Sequence, residues 1–203
     1  MRLDARQGPG GRAARPSLQL AVQLACRSRR LPAAAALRAT VRRWVSATLA
    51  ACGADGACIA VRFVTRGEAI ALNARFRARD YAPNVLSFPL HAPAVARRPD
   101  GDIAICPAVV AADAREQGRG FRAQLAHMVV HGVLHLAGHD HQRRAQAARM
   151  QGVESRVLRA LGYADPWVRA APGRATGPLV SSAHARVSSA RATMRPRRPS
   201  TVT

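Results

Sequence analysis

The side chains best suited to chemistry stand in one run, His131-Gly132-Val133-Leu134-His135-Leu136-Ala137-Gly138-His139-Asp140-His141. His131 and His135 are four residues apart, so on a helix they project from the same face one turn apart. At that spacing two imidazoles reach one metal ion at about 2.0–2.1 Å. Gly138 follows where a helix ends and positive φ is often required, so the chain can turn back and bring His141 to the same ion. Three neutral imidazoles leave the fourth tetrahedral position of a zinc ion to water, whose pKa falls to about 7. A closed structural site would need a fourth ligand, usually cysteine, and Cys106 is the nearest in sequence.

The spacing also resembles that of HExxHxxGxxH metalloproteases, which carry their general base directly after the first histidine. Here that position is Gly132, which cannot take a proton. A peptidase would need a carboxylate from elsewhere, such as Glu116 or Glu154. A third reading is an assembly factor with a structural or vestigial metal site. In that case a folded His131→Ala variant would retain function. Around the core trio, Asp140 is either an acceptor that orients an imidazole or a helix N-cap. His139 can compete for metal, shuttle a proton or face solvent. His127, four residues before His131, shares its helical face and reads as a flanking contact. Ser87 either bonds a phosphate or packs in a strand.

The elements that must position these residues follow from periodicity. Leu18, Leu20 and Val22 alternate with polar or small residues as a strand. An alanine-rich helix opened by Pro32 runs to about Ala51. Further strands are expected over 58–64, 84–89 and 102–106, and further helices over 67–77, 107–117, 121–136 and about 142–161. This order suits an α+β fold rather than regular βα alternation. Residues 1–16, rich in Gly, Arg and Pro, read as a disordered arm. Residues 168–203, rich in Ser, Ala, Pro and Arg without a carboxylate, read as a disordered basic tail. The folded domain is then 17–167.

All 32 Lys-plus-Arg residues are arginines, and the formal net charge is +21. Such a field concentrates polyanions, so nucleic acid is the first candidate partner and an anionic membrane surface the second. The alternative reading of that charge is coding drift together with basic disordered tails. Cys26, Cys52, Cys58 and Cys106 form no CxxC pair, which suits reduced thiols in a cytoplasmic protein. The stretch from Leu18 to Cys26 is interrupted by Gln19 and Gln23, making it a poor signal-peptide core. No segment approaches the roughly 18–20 apolar residues of a membrane span, so no membrane role is expected.

The HGVLHLAGHDH run resembles the signature of the YbeY family of bacterial metal-dependent endoribonucleases. Three other segments resemble the same family in the same order. They are Leu72-Asn73, Phe76-Arg77 and Asp80 leading into Pro83-Asn84-Val85-Leu86-Ser87-Phe88-Pro89; the strand Gly101-Asp102-Ile103-Ala104-Ile105-Cys106; and Ala160-Leu161-Gly162-Tyr163. The resemblance covers roughly residues 58–167. It implies an α+β fold with a small mixed four-stranded sheet and about five helices, and one zinc ion on His131, His135 and His141. It also implies cleavage of single-stranded RNA, maturation of small-subunit rRNA 3′ ends and ribosome quality control in the cytoplasm. The implied partners are single-stranded RNA, rRNA and ribosomal particles, with ribosomal proteins and an assembly GTPase as candidates. Arg77 sits where the family has an arginine important to activity, and a planar guanidinium suits a cleaving phosphodiester. His127 becomes a candidate RNA contact. The chain departs from the pattern at His139, where tyrosine is usual. It departs again at Gln142-Arg143-Arg144, a segment often acidic in the family.

Overall fold

The computed structural model describes residues 17–90, 97–139 and 143–168. The expected arm over 1–16, nearly all of the expected tail, and Asp140 and His141 lie outside the described residues. Among the described residues nine elements run in the order β1 (Ser17–Leu24), α1 (Ala34–Ala51), β2 (Gly56–Phe63), α2 (Arg66–Arg77), β3 (Val85–Pro89), β4 (Asp100–Ile105), α3 (Pro107–Glu116), α4 (Phe121–Leu136) and α5 (Arg144–Ala160). The sheet is mixed and four-stranded, in the order β1-β2-β4-β3. β1, β2 and β4 are parallel neighbours, whereas β3 runs antiparallel to β4 at one edge. The expected α+β fold is the observed one. α1 starts two residues after Pro32, at Ala34, within the usual uncertainty of a helix end.

Period-two alternation assigns the two faces of the sheet. Ala57, Ile59, Val61 and Phe63 of β2 and Ile103 and Ile105 of β4 are buried against the apolar stripes of α1 and α4. Leu37, Val41, Trp44, Val45 and Leu49 form the α1 stripe at helical spacing. On the opposite face, Leu86 and Ala104 pack with Ala69 of α2 and with Val64 and Cys106. The helix carrying the histidines, α4, is apolar nearly all round. It is buried between the sheet, α1, α3 and α5, as a helix without a polar face must be.

Two glycines allow α4 to lie close to the sheet. Gly101 of β4 has φ +149°, and a Cβ there would overlap the Phe88 carbonyl oxygen of the paired strand and stand 3.0 Å from Leu136 Cδ2. Gly132 of α4 faces Ile103, where a Cβ would stand 2.9 Å from Cγ2. This explains Gly132 without appeal to catalysis: a glutamate side chain at this position would have to enter the β4 surface.

Gly101→Ala combines a disfavoured φ with a backbone clash. It should lower unfolding stability by about 2–4 kcal/mol, read as a reduced urea midpoint. An unchanged midpoint would show that β3 and β4 can separate locally without cost.

Candidate metal centre

α4 ends in a motif written into its sequence. Gly138 takes φ +85°. Its N–H donates to the His135 carbonyl at 3.1 Å, and the His139 N–H donates to the Leu134 carbonyl at 2.9 Å. These paired bonds form a Schellman cap, which stops the helix at Leu136, one residue after His135. The expected bend at Gly138 is therefore present. His141 and Asp140, which follow it, lie outside the described residues.

His131 and His135 come together as the one-turn spacing requires. Their Nε2 atoms are 3.1 Å apart, with ring centroids at 4.6 Å and planes at 76°. Two ligands of one tetrahedral zinc ion at about 2.05 Å would stand about 3.3 Å apart, so the pair fits that role. The far side of His131 is held from another helix. Its Nδ1 lies 2.8 Å from Oε1 of Glu154 on α5. With Nδ1–H donating to this carboxylate, the tautomer leaves the Nε2 lone pair directed at the point shared with His135.

Glu154 is 1% exposed, and its other oxygen accepts from Trp167 Nε1 at 3.0 Å. Burial alone would push its carboxyl pKa up. His131, hydrogen-bonded to it at 2.8 Å, and His127, close by at 3.6 Å, outweigh burial and bring it from 4.5 to about 2. Ligand atoms of His127, His131 and Glu154 also lie within 4.8 Å of one another, a second arrangement able to hold a metal ion. Two donor sets thus meet at His131. The Nε2 pair lies on the partly exposed side, while the Glu154 set is interior, with both carboxylate oxygens already engaged.

His127 requires a correction. Expected as an RNA-facing flank, its ring is instead buried at 7% exposure, with its centroid 5.6 Å from that of Trp167 and its Nε2 3.6 Å from Glu154 Oε2. The one-turn spacing put it on the same helical face as His131, but that face descends into the α4–α5 interior. Glu154, considered above only as a peptidase base, instead orients His131. The sequence holds a signal for this: Glu154 stands on the apolar stripe of Met150, Val153, Val157 and Leu158, where a charged residue needs buried partners. Glu116, the other candidate base, is exposed at the end of α3. His139 is half-buried, with Nε2 3.9 Å from Cys52 Sγ at the end of α1. Burial pushes its pKa down, and Glu154 opposes this more weakly.

Arg77 is exposed in the last turn of α2. It lines a cavity of about 540 Å³ with Phe76, Ser87, Phe88 and Pro89. The buried Asn73 fixes the chain after α2 by donating from Nδ2 to the Tyr81 carbonyl at 2.9 Å. Ser87 Oγ lies 3.4 Å from the Gly132 carbonyl and donates to it, tying this cavity to the turn of α4 that carries His131. The described hydrogen bond of Ser87 is thus a packing contact.

The arrangement defines an α+β protein with paired imidazoles beside an arginine-bearing cleft. The family model described as Endoribonuclease YbeY matches residues 23–162. The chain is 49% identical over 157 residues to the Endoribonuclease YbeY of Alkalilimnicola ehrlichii, covering 75% of this chain and 92% of that one. Identity to the protein of the same name from Bordetella avium is 42% over 165 residues, covering 78% and 99%. For that from Methylibium petroleiphilum it is 45% over 158 residues, covering 77% and 98%. A solution structure of a Thermotoga maritima protein matches at 25% identity with a TM-score of 0.49, covering 74% of this chain and 100% of that one. This chain belongs to the YbeY endoribonuclease family.

Glu154→Gln keeps the side-chain shape but removes the charge facing two histidines. The sign follows from the depressed pKa: the carboxylate stabilises the fold above its ordinary value of 4.5 and loses that contribution as pH falls toward about 2. At pH 7 the variant should be less stable by about 2–3 kcal/mol, with the gap to the parent narrowing through this acid window. Urea unfolding across pH measures it; a gap that stays constant to pH 2 would contradict the assignment.

Proposed function

We propose that this protein is a zinc-dependent endoribonuclease that cleaves single-stranded RNA in the cytoplasm. We assign it to maturation of small-subunit rRNA 3′ ends and to ribosome quality control. Its family membership supports the RNA chemistry. The observation that carries the metal reading is the 3.1 Å approach of His131 and His135 Nε2, with the tautomer of His131 set by Glu154. We assign the ion to His131, His135 and His141; the turn at Gly138, three residues before His141 in sequence, supports the third ligand.

Bound zinc would supply Lewis-acid stabilisation of charge developing on a phosphodiester. The chain's own residues do the rest. Arg77 grips the phosphate with a planar fork of donors and offsets negative charge as the bond breaks. Glu154 keeps the Nδ1 proton on His131 and prevents that ring from rotating. The cavity beside Arg77 has room for a phosphate-sugar unit, and the exposed Phe76 ring lies at its rim. Attack by the substrate 2′-hydroxyl would leave a 2′,3′-cyclic phosphate, whereas attack by water would not. Proposed partners are single-stranded RNA, rRNA and ribosomal particles, extending to ribosomal proteins and an assembly GTPase. Among the described residues no helix is long and apolar enough to cross a membrane. A peptidase is disfavoured because Gly132 occupies the position of the base and packs against Ile103.

Elemental analysis and single-stranded RNA cleavage of the purified protein test this together. His135→Ala should lose zinc and cleavage. Arg77→Ala should retain zinc and cleave about 100-fold more slowly, with mapped rRNA 3′ ends left immature in cells carrying either variant. Undiminished cleavage by His135→Ala would overturn the metal assignment, and peptide hydrolysis without RNA cleavage would overturn the function.

A further inference from the structure

The parallel strands β1, β2 and β4 finish at the same end of the sheet, and the loops leaving them line a second cavity of about 440 Å³. Four arginines line it: Arg27 and Arg30 after β1, Arg66 at the start of α2 and Arg115 of α3. Among the described residues no carboxylate lines it and none of the four guanidinium groups forms an ion pair. Glu68 of α2 is committed to Arg62 at 2.8 Å. Two helices also start at the rim, α2 after its cap Thr65 and α3 at Pro107, so two positive dipole ends add to the four charges. Strand-to-helix turns at the carboxyl ends of parallel strands are where such sheets receive anionic ligands.

We propose that this cavity is a phosphate-binding site, separate from the histidine centre. None of its lining residues belongs to α4 or β3, which carry His131, His135 and Ser87. The chemistry favours a phosphate group over a whole nucleotide. Guanidinium forks match phosphate oxygens bidentately, and among the described residues no aromatic side chain lines the cavity to stack on a base. Two sources present that group, the backbone of an RNA bound elsewhere on the protein or a free phosphate compound. The RNA source rests on the endoribonuclease reading; the phosphate chemistry does not.

The test uses the full chain with pyrophosphate and with a short single-stranded oligoadenylate as probes, each titrated at several salt concentrations. The Arg27→Ala/Arg66→Ala double variant removes two lining charges that are exposed, so its thermal unfolding should match the parent. Arg38→Ala/Arg42→Ala, on the exposed face of α1, removes the same charge away from the cavity. The cavity variant should bind pyrophosphate roughly tenfold more weakly, and the α1 variant should bind as the parent does. If the backbone is the source, oligoadenylate binding weakens too, and its log–log salt slope falls by about 1 per lost contact. If a free compound is the source, only pyrophosphate binding changes. Equal weakening in both double variants, or none in either, would overturn the site and reduce it to net charge. Because pyrophosphate binding is read without cleavage, an inactive enzyme would count against the function proposed above and leave this result interpretable.

Discussion

A single carboxylate buried between two helices governs the candidate centre. Glu154 accepts from the His131 ring on one oxygen and from the Trp167 indole on the other, while His127 crowds the same oxygen at 3.6 Å. A bare carboxylate in that interior would be costly, and the surrounding donors repay the desolvation. The consequence reaches the surface through one imidazole. With its Nδ1 proton held from α5, His131 can present only Nε2 as a lone-pair donor, and that atom lies beside the Nε2 of His135. Packing of α5 on α4 therefore sets the chemistry on the open side of α4.

The sheet supplies the other constraint. α4 must approach β3 and β4 closely enough for Ser87 to reach the Gly132 carbonyl, and the small residues Gly101 and Gly132 permit this. The same approach places the cavity carrying Arg77 beside the turn of α4 that holds His131. Asn73 holds the chain after α2, so Arg77 sits on a fixed helix end rather than a wandering loop. The arginine excess is not spread evenly either, since four arginines gather where three strands end. That arrangement gives the positive field a second focus away from the histidines.

The sequence made local features legible and left long-range ones hidden. The one-turn spacing of His131 and His135, the positive φ of Gly138 and the alternation of Leu18, Leu20 and Val22 in β1 each depend on a few neighbouring residues, and all three are in the fold. The Glu154 partnership spans 23 positions and depends on how α5 settles against α4, which no local pattern specifies. His127 shows the converse limit: helical periodicity gives the face of a side chain, not its depth. The motif run likewise marks Gly132 as unable to act as a base, but only the 2.9 Å approach of Ile103 shows why a larger residue is excluded. The order β1-β2-β4-β3 is equally non-local, because it is set by which strands pair across intervening helices.

Zinc K-edge X-ray absorption on the purified full chain tests the proposed sharing of one cation by these histidines most directly. Three imidazole nitrogens with oxygen should make up the first shell at about 2.0–2.1 Å, without sulfur. The imidazole signal should weaken in His131→Ala. A sulfur scatterer at about 2.3 Å, or a spectrum indifferent to that substitution, would contradict a centre built on His131 and His135.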